Sequence, residues 1–142
     1  MPIVAFHQLR TWRKAFALTL TCHRLASRLP ANERYLLGAQ IRSASASIPA
    51  NIAEGNGRML PGDYLRFLRM AHGSLMELQT HLFLASALAY VPRPVVRAAF
   101  HESCEVGRLL GRLMTSIEAR TRSGPGPAGK RKGPGSRLVP GP

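Results

Sequence analysis

Apolar positions recur at helical spacing along almost the whole chain. In the first stretch Leu9, Trp12, Phe16, Leu20 and His23 follow one another in steps of three or four, which predicts one helix with those residues on its buried face. Pro30 ends it, and Asn32 is positioned to cap a second helix beginning near Glu33. There, Leu37, Ile41, Ala44, Ile48 and Ile52 mark the inner side. Pro49 lacks an amide hydrogen, so a kink is expected, but the apolar line keeps its phase across it and predicts one continuing helix that ends at Gly55 and Gly57. Pro61-Gly62-Asp63 opens a third helix. Tyr64, Leu68, Ala71, Leu75, Leu78, Leu82, Ala85 and Ala89 alternate steps of four and three without a slip, the seam of left-handed helix packing. After Pro92 and Pro94, a fourth helix carries Val96, Ala99, Ser103, Val106, Leu110, Leu113 and Ile117, and fades near Arg122. Four amphipathic helices with short connections predict an all-α, antiparallel, up-and-down four-helix bundle over residues 1–122.

From Ser123 the composition shifts to Gly, Pro and Ser around Lys130-Arg131-Lys132, and large apolar residues are scarce before Leu138. Residues 123–142 are therefore expected to form a disordered basic tail. Charge changes the picture further. The chain has 20 Lys and Arg against 7 Asp and Glu, a net +13, and 17 of the 20 are arginines. Residues 1–122 hold 16 basic and 7 acidic residues, so the body is basic without the tail. Such a balance calls for a polyanionic partner: nucleic acid first, an acidic membrane second, an acidic protein patch third. The longest apolar stretch, Leu82 to Val91, is too short to span a bilayer. With no secretory leader pattern and only Cys22 and Cys104, a cytoplasmic chain with both thiols reduced is expected.

The most specific segment is Gln40-Ile41-Arg42-Ser43-Ala44-Ser45-Ala46-Ser47-Ile48-Pro49-Ala50-Asn51-Ile52-Ala53-Glu54-Gly55-Asn56-Gly57-Arg58. With it go Leu9 to Ala15 and its tryptophan, Leu29-Pro30 followed by Glu33-Arg34-Tyr35 and Leu37, Tyr64-Leu65-Arg66-Phe67-Leu68, and Ala71-His72-Gly73-Ser74-Leu75-Met76-Glu77-Leu78. Over about residues 6 to 120 these resemble a bacterial family of small four-helix-bundle proteins. That family includes proteins encoded in intervening sequences of 23S ribosomal RNA genes and accessory proteins of diversity-generating retroelement reverse transcriptases. The resemblance implies a non-enzymatic bundle, a ring-shaped homopentamer and, in the retroelement branch, binding to RNA or DNA and to the reverse transcriptase. Ser43 and Ser45 depart from the family pattern, as do Leu60-Pro61 and the Lys-Arg-Lys tail.

Candidate nucleic-acid-binding residues follow from the charge. Arg10, Arg13, Lys14, Arg24 and Arg28 make a basic stripe on the first helix, which has no acidic residue before Asn32. Arg42 and Arg58 are charged residues of the signature, Arg58 four residues from Glu54. Lys130, Arg131 and Lys132 are the tail's cations, and Arg66, Arg69, Arg97, Arg108 and Arg112 are weaker candidates. Exposed aromatics look scarce, so shape and charge readout with little base stacking is expected. Glu77/His81 and His101/Glu105 lack the spacing and further carboxylates of a bundle metal site, so no metal or cofactor is expected. Cys22, His23 and Cys104 lack an orienting partner for catalysis, and Ser43, Ser45 and Ser47 read as small packing residues. The expectation is a non-catalytic accessory protein whose partners are RNA or DNA, a reverse transcriptase and further copies of itself. The alternative is a structural bundle of the intervening-sequence type without strong nucleic-acid affinity.

Overall fold

The computed structural model describes residues 5–123; the tail cations Lys130, Arg131 and Lys132 lie outside them. Four helices form: α1 (Arg10–Ala26), α2 (Leu37–Asn56), α3 (Pro61–Ala87) and α4 (Arg93–Arg122), with 3₁₀ turns at Phe6–Gln8 and Ala31–Glu33. Among the described residues there is no strand. Each helix packs on the one before it, and α4 closes back on α1. Cross-helix pairs run in opposite directions along neighbouring helices, as expected of an antiparallel bundle. Ser47 meets Ser74 while Gly55 meets Tyr64 and Phe67. Gln79 meets Ser103, Phe83 meets Phe100, and Arg69 meets Glu118.

The core is built by α3 as its spacing predicts. Leu68, Ala71, Leu75, Leu78, Leu82 and Ala85 are fully buried, opposed by Ile41, Ile48 and Ile52 of α2 and by Val96, Ala99, Val106, Leu110 and Ile117 of α4. Helix α1 departs from expectation. Its buried face is Thr11, Ala15, Leu18, Cys22, Leu25 and Ala26. Of the line Leu9-Trp12-Phe16-Leu20-His23, Leu9 and Trp12 are half-buried against the core, but the rest faces outward: Phe16 and Leu20 are 45% and 43% exposed, and His23 is exposed too. Small residues on the inner face let α1 approach α2 and α4 closely, and the larger apolar side chains are left outside.

Pro49 lies within α2, and the helix continues through it. A proline there leaves the carbonyl four residues back, that of Ser45, without its amide donor. The hydroxyl of Thr19 on α1 supplies one: Oγ1 lies 2.9 Å from the Ser45 carbonyl and 3.0 Å from that of Ala15. The neighbouring helix thus repairs the break. Gly55 lies inside α2, not at its end. A Cβ there would come within 2.8 Å of Phe67 Cβ and Tyr64 Cδ2, so glycine permits a close α2–α3 approach. Gly57 is the terminal residue, in right-handed conformation.

Two ends are built differently from the expectation. Helix α2 starts at Leu37, and Asn32 falls in the preceding 3₁₀ turn. The Leu37 amide donates to Glu33 Oε2 at 3.3 Å, while Tyr90 donates to Glu33 Oε1 at 3.0 Å. One carboxylate thus joins the α1–α2 and α3–α4 connections. Its acceptance of the phenol hydrogen holds Tyr90 above the ordinary tyrosine pKa. Helix α3 ends at Ala87, so Ala89 leaves the seam and takes a left-handed φ of 55°. The amides of Tyr90 and Ala89 then bond the carbonyls of Ala85 and Ser86, the paired closure of a Schellman end with alanine in the usual glycine position.

The proline repair is measurable by a double-mutant cycle. Thr19→Val strands the Ser45 carbonyl and lowers stability by roughly 1–3 kcal/mol. In a Pro49→Ala background the helix regains its own donor, and the cost of Thr19→Val falls. Chemical denaturation of the four proteins reads the difference.

Candidate nucleic-acid interface

Among the described residues, helices α1 and α4 together carry most of the basic side chains that have no carboxylate partner. The seam between them is pinned by two carboxylates of α4. Thr21 Oγ1 lies 3.1 and 3.0 Å from the two oxygens of Glu102, and Glu105 accepts Lys14 at 3.4 Å and Arg10 at 3.8 Å. Arg10 and Lys14, expected on a free basic stripe, are therefore partly neutralised. Arg13, Arg24 and Arg28 of the same stripe have no carboxylate partner among the described residues.

All seven acidic residues lie within the described residues, and their partners account for few of the arginines. Glu54 holds Arg58 at 3.1 Å, and Glu118 holds Arg69 at 3.9 Å and Arg122 at 3.8 Å. Besides Arg120, α4 leaves Arg93, Arg97, Arg108 and Arg112 without a carboxylate partner, all four of them exposed. With His101 they recur at helical spacing down the outer side of the helix. At 1.5 Å per residue, Arg93 to Arg112 spans roughly 28 Å of helix. In the sequence Arg97, Arg108 and Arg112 looked secondary and Arg93 was not singled out; the structure leaves all four without acidic partners on one side of α4, because Glu102 and Glu105 turn toward α1.

The α1–α4 seam opens into two adjoining depressions. One, of about 390 Å³, has Leu25, Pro94, Val95 and Ala98 as its apolar lining and Arg24 and Arg28 at its edge. The other, of about 300 Å³, includes Lys14, Leu20, Glu102 and Glu105. Thr21 and Arg24 line both. Two other sequence candidates serve structure. Arg42 donates to the Arg34 carbonyl at 2.7 Å and so fastens the α1–α2 connection. Arg58, beyond its bond to Glu54, stands 4.9 Å from the centre of the Phe67 ring, with Arg66 at 4.7 Å. Nor are exposed aromatics scarce: Phe16, Tyr35 and Phe83 are 45%, 81% and 60% exposed.

The family model of the 23S rRNA-intervening sequence protein matches residues 7–112. The chain belongs to that family. A solved structure of a protein of unknown function from the S23 ribosomal protein family of Bacteroides thetaiotaomicron has a TM-score of 0.68 at 24% identity. The match covers 73% of this chain and 97% of that one, and at this identity it speaks for the fold. No curated protein is significantly similar to the chain. Among the described residues no three or more of His, Cys, Asp and Glu gather as a metal site, and no helix is long and apolar enough to cross a membrane.

Both cysteines are free. Burial pushes the Cys22 thiol up to about 12, with the charge of Glu102 adding to the effect. At pH 8 it holds its proton and is out of reach, whereas Cys104 is half-buried. A thiol reagent at pH 8 should therefore modify one site per native chain, Cys104, and reach Cys22 only on unfolding; peptide mass mapping shows which.

Proposed function

We propose that this protein is a non-catalytic nucleic-acid-binding accessory protein that holds RNA or DNA against the outer faces of α1 and α4. The observation that carries the reading is the line of unpaired arginines Arg93, Arg97, Arg108 and Arg112, extended by Arg13, Arg24 and Arg28. Guanidinium forks suit phosphate oxygens, and a rigid helix presents them without further ordering of the backbone. The contacts go to the phosphate backbone, so affinity is salt-dependent and mostly independent of sequence. The finer proposal, resting on the family resemblance, is that the nucleic acid is the template RNA of a retroelement reverse transcriptase and that this enzyme is a protein partner.

A second reading has its own observation. Phe6, the half-buried Trp12 and Phe16 form a run of ring contacts at 5.3 and 5.0 Å along α1, and exposed Phe16 and Leu20 continue it outward. Next to it α2 exposes only small side chains at Ser43, Ala46 and Ala50. A large apolar ridge beside a flat strip fits assembly with further copies, and the family resemblance makes the proposed assembly a homopentamer ring. If assembly is the whole of the function, the protein is a structural bundle of the intervening-sequence type. If both hold, the ring multiplies the arginine line and avidity strengthens a weak contact.

Two measurements check these readings. Replacing Arg108 and Arg112 with glutamate should weaken binding of a structured RNA strongly and flatten the logarithmic salt dependence by about 2. The same charge change at Arg66 and Arg69 on α3 should do far less. Equal losses from both pairs would mean that net charge, not the α4 line, holds the RNA. Separately, Phe16→Asp should shift the protein to smaller species in sedimentation velocity while leaving its helical circular dichroism intact. An unchanged sedimentation coefficient would remove the ridge as the contact.

A further inference from the structure

The arginine line ends, at the start of α4, beside an aromatic cleft between α3 and α4. Phe83 of α3 is 60% exposed and its ring centre lies 4.9 Å from that of Phe100, the planes inclined at 50°. Below them Val96 is buried, and Ser86, Arg93 and Arg97 complete the lining of a depression of about 300 Å³. Neither arginine has a carboxylate partner among the described residues, and no acidic residue lines the cleft. An open ring face next to two unopposed guanidinium groups suits a ligand with a flat aromatic part and an anionic part close together.

We infer that the Phe83–Phe100 cleft is a stacking site for one unpaired nucleobase, whose flanking phosphate is held by Arg93 and Arg97. The inference rests on the proposal that α4 binds nucleic acid, and it narrows the ligand. Arg97 belongs both to the outer line and to the cleft, so one strand can run along α4 and turn its unpaired base onto Phe83. A uniform duplex keeps its bases paired and uses the arginines alone. A hairpin with a bulge or a single-stranded overhang uses both, and single-stranded bases are the ones that proteins stack on aromatic side chains. The cleft's charge argues against a basic or neutral apolar occupant, and its size is that of a single residue or base, not of a docked helix.

The test uses the full-length protein and two RNA hairpins that differ by one bulged 2-aminopurine. The bulged hairpin should bind more tightly, and its 2-aminopurine fluorescence should be quenched on binding. Phe83→Ala should lower affinity for the bulged hairpin roughly tenfold and abolish the quenching, with little effect on the hairpin without the bulge. Phe83→Tyr keeps a ring face and should restore both. Phe83 is mostly exposed, so circular dichroism should show the Ala variant folded. If both hairpins bind equally and Phe83→Ala changes neither, the stacking site is overturned while the α4 reading stands. If neither hairpin binds the native protein, both fall. If Phe83→Ala changes the sedimentation coefficient and leaves RNA binding intact, the cleft receives another copy of the chain and the inference is wrong.

Discussion

A helix in an up-and-down bundle can bury one stripe of its surface, and every residue off that stripe must meet water or a partner. The constraint separates the helices of this protein. On α3 the alternating line from Leu68 to Ala85 is fully buried. On α1 there are two apolar lines, and the bundle buries the one with smaller side chains. Ala15, Leu18 and Cys22 go inside; Phe16 and Leu20 stay out. The same constraint acts on charge. Sixteen basic residues cannot enter a core of this size, and seven carboxylates cannot neutralise them, so the outer faces of α1 and α4 stay positive.

The α2 signature gains a physical meaning from its neighbours. Pro49 would strand the Ser45 carbonyl, and Thr19 of α1 satisfies it. Ser47 shares a hydrogen bond with Ser74 at 2.8 Å and accepts one from Asn51, which ties the outer turn of α2 to α3. Gly55 then lets α2 and α3 close at the end of the bundle. Pro49, Ser47 and Gly55 thus serve helix contacts, while Arg42 and Arg58 brace local structure. Tyr64, beside Gly55, keeps a buried hydroxyl with no hydrogen-bond partner in the structure. Burial holds its phenol above the ordinary value, against the pull of nearby Arg120.

Much of the fold was legible because α3 and α4 repeat their apolar steps without competition. What escaped was set by tertiary contacts. The inner face of α1 carries Thr11, Ala15 and Cys22, a weaker signal than Phe16 and Leu20 outside. The start of α2 depends on Glu33, which also holds Tyr90, 57 residues away. Ala89 occupies a turn position where glycine would have announced itself. On the helix-one stripe Arg10 and Lys14 share Glu105, a pairing no local spacing could reveal. Arg93, Arg97, Arg108 and Arg112 were visible as residues, but their freedom from partners could be read only once every carboxylate had been placed.

The account puts nucleic-acid binding on the folded body, not on the Lys130-Arg131-Lys132 segment, and one comparison tests that most directly: affinity for a structured RNA across a salt series, for the full chain and for a chain ending at Ser123. The account predicts that both bind and that both weaken steeply as salt rises, because the arginines of α1 and α4 are present in each. Binding by the full chain alone would contradict it and move the activity to the segment beyond Ser123.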